Sequence, residues 1–223
     1  MRAEVGLLSR NVVFRGDPET SSANQYGAII FMHSMGDDSI VGKISHVEFT
    51  DVGQAFKVGR YPIHFHMVGN VMQSYAVGNS IHKSNNRAIT IHGVHYLTIA
   101  DNVAYNVKGH TIFIEDGIES RNFIKNNLII NTYRSWSLLN TDTTPANFWI
   151  TFPDNDFVGN HAAGSANYGF WFDSKEHSTG PSASINVCPT KSRAGLFINN
   201  TAHSAGRYGL RIFHEMTPLT YPC

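Results

Sequence analysis

The sequence predicts an all-β fold, a parallel β-solenoid, and three observations carry that prediction. An Asn recurs as the anchor of successive units, apolar residues return at fixed distances after each anchor, and no stretch shows the apolar period of a helix. The chain has 223 residues, 42% hydrophobic and 15% charged, with 19 Gly and 12 His. Such a length supplies one sizeable core, and a surplus of turn formers over helix formers disfavours a helical bundle.

Taken in order, Arg10 to Phe14 (RNVVF) reads as the first strand. GAIIFMH (27–33) and ISHVEFTDV (44–52) are apolar, bounded by turns, and read as rungs that do not share the later anchor. GRYPIHFHM (59–67) joins the repeat frame with Ile63 and Phe65 facing inward. The anchors then follow at Asn79, Asn102, Asn127, Asn160 and Asn200, spaced by 23, 25, 33 and 40 residues. Ten residues after each stand Ile89, Ile112, Ser137, Phe170 and Leu210, and twelve after stand Ile91, Ile114, Leu139, Phe172 and Ile212. Each unit is thus an Asn, a short apolar step, a polar turn and an alternating strand. The two long intervals predict insertions, one around Pro145 and one from Lys175 to Gly195, lying as loops on the side of a coil. The repeated Asn suits an interior turn, where stacked side-chain amides form a hydrogen-bonded ladder. About nine rungs at ~4.8 Å predict a rod some 40 Å long.

Alternation along a strand sends the neighbours of those inward residues outward. The thirteenth position reads His66, His92, Glu115, Asn140 and Asp173, and the eleventh His64, Thr90, Phe113, Leu138 and Trp171. His64, His66 and His92 are candidate ligands for zinc or another divalent ion, with a water position left open. His92, Glu115 and Asp116 are candidate acid–base groups for glycan chemistry, with Asp173 as a hydrogen-bonding group and Phe113 and Trp171 as flat faces for sugar rings. Arg60, Arg87, Lys83 and Arg121 are the cations placed to meet an anionic chain. The plainer alternative is a hydrogen-bonded ladder or a face covered by a neighbouring domain. His33, His161 and His203 have no partner identifiable in the sequence.

Lys+Arg 17 against Asp+Glu 17 leaves a net charge of zero, which removes the basic field of a nucleic-acid or membrane-surface binder. No apolar run approaches the ~18 residues of a membrane span. The opening MRAEVGLLSRNVVFRGD lacks the apolar core of a signal peptide, so the chain reads as a fragment of a longer one. Cys188 and Cys223 either pair in an oxidising compartment or stay free. Asn199-Asn200-Thr201 is a sequon, with Asn199 as the acceptor.

GRYPIHFHMVGN, SNNRAITIHG, FIEDGIESRN, TPANFWITFPDN and LFINNTAHSAGRYGLRIF resemble successive segments of the β-helix in the fibrocystin-L and fibrocystin family, and more distantly in transmembrane protein 2 and the cell migration-inducing hyaluronidase. The resemblance runs from about Glu4 nearly to the end. It implies a right-handed parallel β-helix over residues 1–223, with 1–26 as the junction to a preceding G8-like domain. It also implies an extracellular, cell-surface or ciliary setting, with adjacent domains, glycans or extracellular proteins as partners. The hyaluronidase branch implies calcium-linked hyaluronan depolymerisation; the fibrocystin branch implies no reaction. The shared HFH, TIHG and EDGIE motifs fall on His64, His66, His92, Glu115 and Asp116. Two readings follow: a structural, adhesive or glycan-binding module, or a polysaccharide depolymerase with a metal-assisted or carboxylate acid–base site.

Overall fold

Residues 3–137, 139–219 and 223 are described in a computed structural model, and among them the strands form three parallel sheets wound as a right-handed β-helix. The first wall holds seven strands, from Val12–Arg15 to Thr201–Ala205. The second holds seven, including Ile63–Asn70, Ile89–His95, Ile112–Ile114, Ala146–Ile150 and Tyr168–Phe172. The third holds six short strands, from Lys43–Ser45 to Phe197–Ile198. Among the described residues, seven strands in each of the first two walls and six in the third replace the nine rungs expected, because apolar segments counted as separate rungs are different walls of one coil. The stretch 44–52 shows this: Lys43–Ser45 lies in the third wall and Val47–Val52 in the first.

The inward residues stack in register. Ile63 pairs with Ile89, Ile89 with Ile112, Ile112 with Phe148, and Phe148 with Phe170. Ile81 and Ile129 face them from the first wall and Ile99, Ile124 and Phe157 from the third, all at most 1% exposed. Burying each such side chain is worth about 1.5–3 kcal/mol, so this column is the main source of stability.

The corner between the third and first walls is built from the anchor Asn residues. Asn79 Nδ2 donates to Asn102 Oδ1 at 3.0 Å, Asn102 to Asn127 at 2.9 Å, Asn127 to Asn160 at 3.0 Å and Asn160 to Asn200 at 3.0 Å. Each acceptor oxygen also takes the backbone N–H of the Asn before it, so the buried turn keeps its polar groups paired. The residue before each Asn is left-handed: Gly78, Asp101, Asn126, Gly159 and Asn199. Asn199, the sequon residue, is exposed at the last of these turns. A second, shorter ladder at another corner, Asn122 Nδ2 to Asn155 Oδ1 at 2.9 Å, lay outside the expected anchors.

One unit departs from the expected frame. After Asn127 the second-wall strand is Ala146–Ile150, so Phe148 and Ile150 occupy the inward places assigned to Ser137 and Leu139. Leu139 is exposed, Asn140 opens a short 3-10 turn at Asn140–Thr143, and the position expected for Leu138 lies outside the described residues. The insertion precedes this strand, which moves the outward column onto Trp149 and Thr151. The second insertion leaves the wall after Tyr168–Phe172 and is tied by a Cys188–Cys223 disulfide, Cα–Cα 5.7 Å.

Within residues 3–26, one strand joins the first wall and a short α-helix follows it. Val12–Arg15 pairs with Val47–Val52, and Pro18–Asn24 forms an α-helix capped by Asp17, whose side chain accepts from Thr20 N. The residues before that strand run as a strap over the outer face of the first wall, where Ser80 Oγ donates to the Leu8 carbonyl and Glu4 reaches His161 and His203. No helix among the described residues is long and apolar enough to cross a membrane.

Candidate functional site

The second wall places the outward residues. His64 stands opposite Thr90, Thr90 opposite Phe113, Phe113 opposite Trp149 and Trp149 opposite Trp171, while His66 stands opposite His92. The His66 and His92 rings are 4.5 Å apart, His64 and His66 5.0 Å, and His64 and His92 6.0 Å and stacked. One ring nitrogen from each of the three lies within 4.8 Å of the others. His33, without an identified partner in the sequence, extends the same column, its ring 5.0 Å from that of His66. Because a carbonyl only accepts, His64 Nδ1–H donates to Gly59 O at 2.9 Å and Nε2 carries the lone pair. His92 Nε2 faces Asp116 Oδ2 at 3.0 Å, and its Nδ1 faces His66 Nδ1 at 3.0 Å and Glu115 Oε2 at 3.3 Å.

Burial governs the electrostatics. It pushes His64 down to about 3, and burial with the neighbouring His92 charge pushes His66 down to about 4. His92 is raised: burial opposes its charge, but the Asp116 hydrogen bond and the charges of Glu115 and Asp116 outweigh it. Asp116 is held low, burial being outweighed by His92 and Ser182. Burial raises Glu115 above the usual carboxylate range.

The turn after Ile112–Ile114 is organised by Glu119, which is fully buried. Its carboxylate accepts from the backbone N–H groups of Gly93, Asp116, Gly117 and Ile118 at 2.9–3.1 Å. That nest fixes the backbone carrying Glu115 and Asp116. Asp116 in turn anchors the second insertion: Ser182 N donates to its carboxylate and Thr179 N to its carbonyl. Gly180, at φ +61, packs so closely that a Cβ there would lie 2.2 Å from Asp116 Oδ1.

Between the insertions and the wall lies a cleft of about 370 Å³. Phe113 and Trp149 are among its lining residues, Leu139, Asn140 and Thr141 come from the first insertion, and Lys175, His177 and Thr179 from the second. Glu115, Asp116 and Asp173 also line it, and the first two are the carboxylates that pair with His92. Trp149 Nε1 and Thr141 Oγ1 are buried without a hydrogen-bond partner among the described residues.

The structure brings His64, His66, His92, Glu115 and Asp116 together and puts Asp173 in the cleft, paired with Lys175. Six other expected residues, Phe113, Trp171, Arg87, Arg60, Lys83 and Arg121, stand differently from the expectation. Phe113 and Trp171 are 2% and 5% exposed and pack with Trp149 and Tyr168, so neither is an open platform for a sugar ring. The Arg87 guanidinium covers Phe113 at 3.4 Å and that of Arg211 covers Trp171 at 4.1 Å. Arg87 is itself fully buried and bonded to Asp142 at 3.2 Å, so it is a structural cation. Arg60 is half-buried and lines a separate depression with Tyr26 and Lys57. Lys83 likewise lines another depression, and Arg121 pairs with Asp154 at 2.7 Å. Sequence reasoning missed Trp149, Lys175 and Glu119. An insertion-aware frame would have put Trp149 in the column, and the third acid of EDGIE is Glu119.

The model of the CEMIP beta-helix family matches residues 25–210. The chain is 40% identical to Fibrocystin-L of Mus musculus over 252 residues, covering 98% of this chain and 6% of that protein. It is 35% identical to the Cell surface hyaluronidase of Danio rerio, over 95% of this chain and 18% of the relative. It is 36% identical to a G8 domain-containing protein of Dictyostelium discoideum, over 93% of this chain and 15% of the relative. The chain thus spans less than a fifth of each of these relatives.

Proposed function

The chain belongs to the CEMIP beta-helix family, and from that premise we propose that it is an extracellular or cell-surface β-helix module of a larger protein that engages a glycan in its lateral cleft. One observation carries the reading: the cleft of about 370 Å³ combines apolar lining from Phe113, Leu139, Trp149 and Pro189 with the polar groups of Asn140, Asp173 and Lys175. A sugar ring presents C–H faces and a rim of hydroxyls, and needs both kinds of surface. The disulfide supports an oxidising compartment, and exposed Asn199 is open to glycosylation there. Glu115, Asp116 and Asp173 against Lys175 make the cleft acidic, which favours a neutral or sparsely charged glycan over a polyanion.

A second reading, cleavage of the bound glycan, is favoured by the placement of His92, Glu115 and Asp116 at one end of the cleft. These are residue types that serve acid–base glycoside chemistry, and the Danio rerio relative is named a hyaluronidase. Titration of the chain with neutral oligosaccharides and with hyaluronan of defined length tests the pair. Binding weakened at least about tenfold by Trp149→Ala or Asp173→Asn supports the first reading. Shortening of the glycan, lost in Glu115→Gln, supports the second; no binding to any glycan removes both.

A further inference from the structure

We propose that His64, His66 and His92 form a binding site for one divalent transition metal of the zinc class, with the fourth coordination position left open. The donors converge, each offering a nitrogen within 4.8 Å of the other two. With Zn–N bonds of 2.0–2.1 Å, tetrahedral donors stand about 3.4 Å apart, so small side-chain adjustments close the site.

Hydrogen bonds outside the cluster set which lone pairs point into it. His64 donates Nδ1–H to the Gly59 carbonyl, and its Nε2 is buried with no partner among the described residues, on a side chain 1% exposed. A buried imidazole lone pair facing two further imidazoles is an unmet acceptor, and a metal ion meets it. His92 places Nε2 on Asp116 at 3.0 Å, the carboxylate–histidine arrangement that orients a metal ligand, and turns Nδ1 toward His66. Asp116 is held in turn by Ser182 N. His66 Nδ1 and His92 Nδ1 stand 3.0 Å apart, where two lone pairs need a proton or a cation between them.

The donor set chooses the metal. Imidazole nitrogens suit zinc, copper, nickel or iron, whereas calcium takes six to eight oxygens. Three nitrogens therefore fit zinc and do not fit the calcium that the resemblance implies. Glu115 Oε2, 3.3 Å from His92 Nδ1, stands beside the cluster. The site links two adjacent coils, so the metal stabilises the stack as well as the site. The inference does not depend on the cleft binding a glycan.

The test uses the chain stripped with a chelator and no glycan. Titration with Zn²⁺ gives one equivalent bound and a raised Tm, Co²⁺ gives the visible absorption of a four-coordinate site, and Ca²⁺ gives neither. His92→Ala and His66→Ala each weaken zinc at least about 100-fold, Asp116→Asn weakens it about 10- to 100-fold, and Glu115→Gln has little effect. His66 is the less buried ligand, so its variant keeps the test open if His92→Ala fails to fold. No zinc bound, or equal binding by a folded His66→Ala chain, overturns the proposal. Zinc bound with no glycan bound leaves the proposal standing and removes the cleft reading alone.

Discussion

On the outer face of the first wall, His82 pairs with Glu48 at 3.0 Å and His203 with Glu4 at 3.0 Å; on the second, His92 pairs with Asp116 at the same distance. The residue types and the spacing are alike, yet the surroundings differ. The His203 and Glu4 side chains are 39% and 19% exposed, against 6% and 3% for His92 and Asp116. Two insertions flank the second wall, where two stacked coils bring three imidazoles together, whereas a strap crosses the first, where Glu4 meets His161 and His203. Histidine and carboxylate decorate both faces, and burial with convergence separates a site from a decorated surface.

The largest effect that sharpens this contrast is expected beneath the covered wall. Arg87 and Asp142 are 0% and 1% exposed, and removing one leaves the other charged and buried. Asp142→Ala is expected to cost about 3–5 kcal/mol in denaturant unfolding. The pair made by Arg121, 51% exposed, with Asp154 is the control, and Arg121→Ala is expected to cost less than about 1 kcal/mol. Equal losses would break the comparison.

Next comes the ligand test across the two walls. His92→Ala is expected to weaken zinc at least about 100-fold, equivalent to about 2.7 kcal/mol, while His82→Ala on the first wall leaves it unchanged. Equilibrium dialysis against buffered zinc measures both. Matching losses would mean that zinc reads surface histidine wherever it stands.

How much of this was legible depended on whether the signal was periodic. The Asn ladder and the inward columns repeat once per coil, so Asn79, Ile91 and their counterparts announce themselves. His64, His66 and His92 were legible as neighbours because two coils stack without an insertion between them. Trp149 was not, because an insertion precedes its strand and a fixed count lands on Leu138 instead. Burial of Phe113 and Trp171 was equally hidden: alternation sends them outward, and only the folded insertions and the guanidinium groups of Arg87 and Arg211 reveal that the outer face is closed.

A smaller effect is expected in the pH dependence of stability. His110 is fully buried beneath Trp149, accepts from Ala146 N at 3.0 Å, and is pushed down to about 3 by burial. The unfolded chain takes up this proton near 6.5 and the folded chain only near 3. Its contribution is therefore complete above pH 6.5, declines as pH falls, and is gone by about pH 3. Each pH unit in that window costs up to about 1.4 kcal/mol, and His110→Asn is expected to flatten the slope in urea titrations at pH 7, 6 and 5. An unchanged slope would assign the acid sensitivity elsewhere.

The smallest effect belongs to the strap on the first wall. Glu4 is held below its ordinary value by a backbone hydrogen bond and by hydrogen bonds from His203 and His161. A lowered carboxylate contributes above the unfolded value and loses that contribution as pH falls through the folded one, so the strap is expected to loosen in acid only below about pH 4.5. The partners His161 and His203 are 41% and 39% exposed, where water and salt screen both pairs, and Glu4→Gln is expected to leave Tm within replicate scatter at physiological ionic strength. Amide exchange at Leu8 and Arg10, read at low and at high salt, shows whether the strap detaches locally without unfolding the helix. A global loss of stability in Glu4→Gln would put the exposed first-wall pairs on the same footing as the buried second-wall ones, and burial would no longer be what distinguishes the two faces.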